Sequence, residues 1–485
     1  MSRARRYFVF TAAFLALPIL VGAVGLRELR TRERPGLPSA IQVPAPRPVL
    51  DPQRPTVVVL LGGDLTEVTD TLGPYEMFAR VGSFNVVTAA ATRTPTLLTG
   101  GLRIVPHYSF AELDEHLGSR AADVVIVPNI PNIAAPYNAP VVTWLQRQAA
   151  RGALVHSWCT GAMTLAHAGL LDGQTATAHW GDLSRLEDAY PRVRWIRGVR
   201  WIDHGSIVMS AGLTSGIDAS LHVIARLTDE GTARRVAREL RYPSFHFAID
   251  PTVEPFAIRP ADAIYLANAA FRPRRDRIGV ALYPGMTELD LSNVYDTHAV
   301  TTVADLDGIA LHAGAVVTAH GLTLLPSHAA DEVAGLALDR LVVTGVEARE
   351  LAAPLLERLT AVSPQLQRTY LHADAPARFG LEPVLEDLAR TADVPTAQFA
   401  LRRLEYRSDS IRLDGSAVPW RTLGFPFLLG AIGLAIAAAL ARAARAARNP
   451  LDRTASAAHT APPITAIVYT RRYEHSGDRN ARPAP

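Results

Sequence analysis

Two charge-free apolar stretches, Tyr7 to Leu26 and Leu423 to Leu440, bracket the bulk of this 485-residue chain. Each is close to the roughly 20 residues that a bilayer-spanning helix needs. Arg3, Arg5 and Arg6 precede the first, and Arg442, Arg445, Arg448 and Arg453 follow the second. The excess of arginine on cytoplasmic flanks in membrane proteins places both ends inside and the long central region outside the cytoplasm. The arginines between positions 27 and 34 work against that orientation. A cleavable signal peptide is the alternative for the first stretch. The charged run Arg27-Glu28-Leu29-Arg30, directly after it, favours an uncleaved anchor. For the second stretch the alternative is a buried core helix, which the dense arginine flank disfavours.

The central region is too long for one core, so more than one globular unit is expected. With 48% apolar and 20% charged residues the whole chain has the composition of a folded protein. All 49 basic side chains are arginine, and they are scattered; with a formal charge of only +3, nothing points to nucleic acid. One cysteine permits no internal disulfide, so Cys159 is free in any redox compartment. Val57 to Leu61 is a buried-strand run, helical signal follows from Gly73 to Arg80, and further strands are expected at Phe84 to Thr88 and Asp123 to Val127. A helix over Val141 to Arg151 leads into another apolar strand. This alternation predicts a flavodoxin-like α/β fold, a parallel sheet with helices on both faces.

Ligand sites in such sheets form beyond the carboxyl ends of the strands. Cys159 lies at such a point, between Ala153 to Trp158 and the helical pattern from Met163 to Ala168, with Gly161 and Ala162 allowing a tight turn. A cysteine exposed there sits at the positive end of the following helix, which favours the thiolate. A buried free cysteine is equally compatible with a packing role. The loop after the first strand runs Gly62 to Asp70 and enters Thr71-Leu72-Gly73-Pro74-Tyr75-Glu76, which places Asp70 at a helix start.

Asp70-x-x-Gly73-Pro74, Cys159-Thr160-Gly161, Ala168 to Gly173, Thr177-Ala178-His179-Trp180, Ser210-Ala211-Gly212 and Gly216-Ile217-Asp218 together resemble the ThiJ/PfpI superfamily. This is the class I glutamine amidotransferase-like fold, and the resemblance spans about Val57 to Tyr242. It is closest to the branch of isocyanide hydratases and the amidotransferase-like half of GlxA/AraC-type regulators. The resemblance implies that Asp70 contacts Cys159 and moves protons while a thiolate attacks a small electrophile. A protonated carboxyl can donate to a thiolate and act as a general acid. The Thr160 N–H can meet a developing anion. Two departures stand out: Thr160 replaces the histidine of protease-like members, and Val127-Pro128-Asn129-Ile130 lacks the glycines that often help form an anion nest. Thr160, Gly161, Asn129, Ile130 and His179 are therefore the expected pocket residues around the catalytic pair Cys159 and Asp70. His179 lines the pocket or makes a structural hydrogen bond. His156 is assigned to the face opposite Trp158, in a packing or solvent role. No metal-ligand spacing is present, and neither a metal nor a cofactor is expected.

The second half echoes the first. Ile278 to Gly285 followed by Thr287 to Leu291 parallels Val57 to Thr71, with Asp290 opposite Asp70. Gly321 to Pro326 parallels Gly101 to Pro106, and Asp339 to Val343 parallels Asp123 to Val127. Gly380-Leu381-Glu382 then aligns without gaps to Gly216-Ile217-Asp218, on to Tyr406 opposite Tyr242. No cysteine strand or elbow is expected there, so the second half reads as a degenerate repeat that packs against the first. The expected plan is an anchor over 1–34, a Pro-rich linker over 35–55, a ThiJ/PfpI-like domain over 56–245, a connector over 246–276 and the degenerate repeat over 277–410. A transmembrane helix over 423–440 and a basic, disordered tail over 441–485 complete it. The functional expectation is a membrane-anchored pocket that binds or transforms a small metabolite. The alternatives are a non-catalytic ligand or redox sensor and a membrane-tethered AraC-like regulator. Nucleic acid is the least favoured partner, because the repeat explains the helix-turn-helix-like residues from Val384 to Leu404.

Overall fold

The computed structural model describes residues 3–32, 43–408 and 410–457. Residues 33–42, which take in the end of the expected anchor and the start of the expected linker, and the tail beyond 457 lie outside them. The chain divides into two compact units, residues 1–17 with 429–485, and residues 18–428. In the first unit two helices pack through glycine. A Cβ at Gly433 would lie 2.2 Å from the Ala13 carbonyl oxygen, and one at Gly430 would lie 2.4 Å from the Phe14 ring. Small residues let helix backbones approach closely. The helices that enter this unit run Arg3–Arg32 and Trp420–Ala457. Within them, Tyr7–Leu29 and Trp420–Arg445 have mean hydropathies of 2.3 and 2.2 and are long and apolar enough to cross a membrane. The second helix continues through 441–457, part of the segment expected to be disordered.

The second unit holds two α/β layers. The first is a seven-stranded sheet of β1 (Thr56–Leu60), β2 (Asn85–Ala90), β3 (Tyr108–Ser109), β4 (Val124–Val127), β5 (Leu154–Ser157), β6 (Trp201–Asp203) and β7 (Ile207–Ser210), in the spatial order β6-β7-β5-β4-β1-β2-β3. β1 and β4 are entirely buried, as their Val, Leu and Ile runs require of strands covered on both faces. The sheet is mixed and not purely parallel as expected, because β6 pairs antiparallel with β7. The turn between them, with Gly205 at φ 85°, is far too short for a parallel crossover.

The second sheet consists of β8 (Asp276–Ala281), β9 (Ala304–Ala310), β10 (His328–Ala329), β11 (Arg340–Val343) and β12 (Arg368–Tyr370), in the order β10-β9-β8-β11-β12, all parallel. β12 was not expected. Its Arg-Thr-Tyr sequence carries no apolar run, and it is set by pairing with β11. No residue with positive φ follows it at Leu371 or His372.

The two layers meet through a small shared sheet and a helix pair. Arg103–Val105 pairs antiparallel with Thr323–Leu325, with Ile104 directly opposite Leu324. Helix Val68–Ala79 packs on helix Glu288–Ala299. Tyr75 donates to the His320 carbonyl at 2.7 Å, and Glu76 accepts from the Leu289 N–H at 2.7 Å.

Candidate functional site

The site is built on the end of β5. Trp158 N–H donates to the Val127 carbonyl at 3.0 Å, which extends the β4–β5 ladder by one residue. The chain then turns at Cys159, which has φ 53°, and the Gly161 N–H closes the turn on the Trp158 carbonyl at 2.7 Å. A non-glycine residue in the left-handed region stores roughly 1–3 kcal/mol and persists only where its surroundings enforce it. Here the enforcement comes from the ladder on one side and helix Gly161–His167 on the other. Cys159 is 3% exposed, and its N–H donates to Ser210 Oγ at 3.2 Å. Sγ lies 3.8 Å from Thr160 Oγ1, which in turn reaches Asp182 Oδ2 at 2.8 Å.

Three carboxyls gather at the start of helix Val68–Ala79, next to the elbow. Glu67 caps helix Val68–Ala79 and accepts from the Asp70 N–H at 2.6 Å. Asp70 Oδ2 accepts from the Asn129 N–H at 3.0 Å, while buried Oδ1 has no hydrogen-bond partner. Asp296 arrives from helix Glu288–Ala299 of the second half. Burial pushes Asp70 well above the usual carboxylate range, and the nearby Glu67 carboxyl adds to this. Burial and then Glu67 raise Asp296 in the same way, and burial raises Glu67 itself. Carboxyls packed this closely cannot all ionise, so the cluster holds protons. Cys159 responds to the same surroundings. Burial pushes its thiol well up, Asp70 pushes it further, and Arg403 pulls against both. In this closed arrangement the cysteine is a thiol, and the dipole of a seven-residue helix does not overcome its burial.

The expected site residues fall into place unevenly. Asp70 and Cys159 come together, though no hydrogen bond joins them; Asp70 instead spends its Oδ2 on the Asn129 N–H. Thr160 turns its hydroxyl to Asp182, and Gly161 provides the space the turn needs. Ile130 is wholly buried and packs beside Gly62, so it supports the loop from behind. His179 is fully buried. Its Nδ1 accepts from the Gly181 N–H at 3.1 Å, and its Nε2 donates to the Arg403 carbonyl at 3.0 Å. This pattern requires a neutral ring; burial and then Arg403 lower its pKa to about 3. His156 shares a face with Trp158, contrary to the expectation, because residues two apart in a strand point the same way. Trp158 Nε1 donates to His156 Nε2 at 3.0 Å, and both side chains reach Ser220.

Sequence reasoning missed Glu67, Asp182, Asp296 and Arg403. Glu67 stands three residues before Asp70, a spacing that marks a helix cap, and Asp182 lies just past the matched Thr177 to Trp180. Asp296 and Arg403 carry no such sign, since only the packing of the second half brings them in. A further group, buried Glu76 and Glu288 with half-buried His320, has its ligand atoms within 4.8 Å of one another. Its oxygens are already engaged by Arg80, the Leu289 N–H, Thr318 and His320 itself.

The stretch that carries Glu67, Asp70, Cys159, Thr160 and His179 matches the DJ-1/PfpI family over residues 55–226. These residues form a DJ-1/PfpI domain. Among curated relatives, the HTH-type transcriptional regulator GbdR of Pseudomonas aeruginosa is 39% identical over 106 residues, covering 22% of this chain and 29% of its own length. The chain thus spans about three tenths of that regulator. Isonitrile hydratase of Pseudomonas putida is 29% identical over 177 residues, covering 36% of this chain and 72% of its own. A solved ThiJ/PfpI family protein from Pseudomonas syringae is 24% identical, covers 44% of this chain and 89% of its own, and has a TM-score of 0.35.

The strain at the elbow of the DJ-1/PfpI domain gives a direct prediction. Cys159→Gly, which suits φ 53° without a Cβ penalty, is expected to stabilise the protein by about 1 kcal/mol. Cys159→Val is expected to destabilise it, and thermal unfolding of the two variants in one detergent checks the opposite signs. A fall in Tm for both would place no strain at this residue.

Proposed function

We propose that this protein is a membrane-anchored ThiJ/PfpI-like protein whose Cys159–Asp70 pocket binds or transforms a small metabolite by adding water at carbon or by hydrolysis. The observation that carries the reading is the strained Cys159 held beside a proton-bearing carboxyl cluster. A thiol that attacks carbon needs an acid to deliver the proton, and Asp70 is a buried carboxyl with one oxygen unpartnered. Similarity to an isonitrile hydratase over 72% of that enzyme supports hydration as the first chemistry to try.

In this reading the second half is a degenerate copy that stands where a dimer partner would. Several features support it. The paired strands place Ile104 against its counterpart Leu324, as a two-fold interface places a patch against itself. Asp229 and Asp393, opposite each other in the gapless alignment, cap their helices in the same way through the N–H of Thr232 and of Thr396. Tyr242 donates to Asp218 at 2.8 Å, and Tyr406 donates to the matching Glu382 at 2.7 Å. Arg241 and Glu405, again opposite each other, both have positive φ. The two apolar helices would hold the paired halves at the bilayer, with the halves outside the cytoplasm.

A non-catalytic ligand or redox sensor is the second reading, favoured by the closure of the pocket around Cys159. The test uses the full chain in detergent with an alkyl isonitrile. Formamide production that disappears in Cys159→Ala and falls at least about 100-fold in Asp70→Asn is expected, a loss typical of general acid–base groups. Absence of turnover together with thermal stabilisation by a small electrophile would favour the sensor, and absence of both would sink the pocket. Reporter fusions near residue 260 and at the C-terminus check the topology; a cytoplasmic signal at 260 would overturn it.

A further inference from the structure

The cover over the cysteine belongs to the other half of the chain. The end of helix Val394–Arg403 and the strap that follows it lie across the DJ-1/PfpI domain and are tied down along their whole length. The Arg402 carbonyl accepts from Trp180 Nε1 at 3.2 Å, and the Arg403 carbonyl lies 3.0 Å from His179 Nε2. Leu404 accepts from the Thr214 N–H at 3.2 Å. The Glu405 carboxylate takes the Gly212 N–H at 2.8 Å and the Ser215 hydroxyl at 2.6 Å. Its carbonyl takes Thr214 Oγ1 at 2.8 Å and Arg200 Nη1 at 3.2 Å. Gly212, Thr214 and Ser215 follow closely on Ser210, which accepts from the Cys159 N–H. Gly212 has no room for a side chain: a Cβ there would lie 2.3 Å from Glu405 Cδ.

This strap sets the Arg403 guanidinium against the His179 ring. From there contacts run on to the sulfur. His179 Nδ1 is 3.8 Å from Asp182 Oδ2, Asp182 binds Thr160, and Thr160 touches Sγ. The charged and titratable groups that face the thiol are Asp70 on helix Val68–Ala79 and Glu67 at its cap, Asp182 beside Thr160, and Arg403 from the second half. Arg403 is the one cation in that set. His179, which separates it from Asp182, is neutral and cannot offset its charge. A guanidinium keeps its proton at any accessible pH and so acts as a fixed positive charge.

We propose that Arg403 is the positioning residue that governs the ionisation of Cys159, and that the strap 402–405 carries it onto and off the thiol. Closed, the strap shields the sulfur and supplies the cation that opposes the upward push of burial and of the acids on the thiol. Open, it admits the ligand and withdraws the charge. This inference rests on the reading of Cys159 as a functional thiol, but its test reads thiol ionisation and not turnover.

Cys159 is the single cysteine of the chain, so alkylation with iodoacetamide reports on it alone. The experiment is the rate of alkylation of the full chain in detergent as a function of pH, with intact mass as readout and circular dichroism as the check on folding. In Arg403→Met the pH profile is expected to move to alkaline pH by about one unit, which slows labelling roughly tenfold at any pH below the thiol pKa. Arg403→Lys is expected to restore most of the profile. Glu405→Gln, which loosens the strap, is expected to raise the high-pH plateau and to move the profile part of the way towards that of Arg403→Met. A merely covering role for Arg403 gives the opposite result, faster labelling of Arg403→Met with an unmoved profile, and that result overturns the proposal. So does a profile of Arg403→Met that matches the wild type, or a failure of Arg403→Lys to differ from Arg403→Met.

Discussion

Arg200→Met is expected to destabilise the protein by about 3–5 kcal/mol, the cost of breaking a buried ion pair from one side. Arg200 is 1% exposed and immediately precedes β6. Its Nε binds Asp218, which is itself wholly buried on helix Leu213–Leu227. Nη2 donates to Thr214 at 3.0 Å and Nη1 to the Glu405 carbonyl at 3.2 Å, so the same guanidinium also holds the strap. Tyr242 completes the set with a 2.8 Å bond to Asp218. Burial already lifts Asp218 to about 6 despite the pull of Arg200 and Tyr242. Without the arginine its pKa must rise further. A carboxyl whose folded pKa exceeds its unfolded value favours the folded state below the unfolded pKa and loses that benefit as pH rises through the folded one. The deficit of Arg200→Met should therefore be small near pH 4 and widen towards pH 7. Thermal unfolding of wild type and variant across that range measures it. The double variant Arg200→Met, Asp218→Asn removes the stranded charge and is expected to recover much of the loss. A pH-independent deficit, or a double variant no better than the single, would mean that the pair does not carry this energy.

What was legible in the sequence is what local chemistry dictates. The buried strand runs, the turn at Cys159 and Gly161, and the acid at the start of the Gly-Pro helix each announce themselves within a few residues, because each meets a local backbone demand. The antiparallel β6 was not legible, since a short polar hairpin at a sheet edge has no apolar period to read. β12 escaped for a related reason: three residues with no apolar run form a strand there because β11 offers them a ladder. The Asn129–Ile130 loop was read for what it lacks. Its backbone instead supplies the one N–H that holds Asp70, while Ile130 packs away from the site. Arg403 and Asp296 were invisible because they lie far along the chain from Cys159. Their approach is a product of how two similar halves dock, and such contacts leave no spacing in either half alone. The internal echo was nonetheless the useful clue, because it gave the second half a shape before it gave it a role.

Gly161→Ala is expected to cost about 3 kcal/mol or more and to disorganise the elbow. A Cβ at Gly161 would stand 2.1 Å from the Val127 carbonyl oxygen and 3.1 Å from the Pro128 carbonyl carbon. Neither neighbour is a flexible side-chain end. The Val127 oxygen is fixed by the β4–β5 ladder, where it accepts from the Trp158 N–H at 3.0 Å. Relief therefore requires the end of β4 or the whole turn to move by about an ångström, and interiors packed at crystal-like density transmit such a shift instead of absorbing it. Moving β4 breaks the Trp158 bond, and moving the turn carries Cys159 away from Ser210. Either path separates the sulfur from Asp70, whose own position depends on the Asn129 N–H two residues beyond Val127. The expected result is a large fall in Tm together with a Cys159 alkylation profile that approaches that of the unfolded chain. Gly335→Ala supplies the comparison. No atom lies within 4 Å of a Cβ there, so it is expected to change stability by no more than about 0.5 kcal/mol. If Gly161→Ala behaved like Gly335→Ala, the turn at Cys159 would have slack, and neither the strain at the cysteine nor its fixed distance from the acid cluster could be sustained.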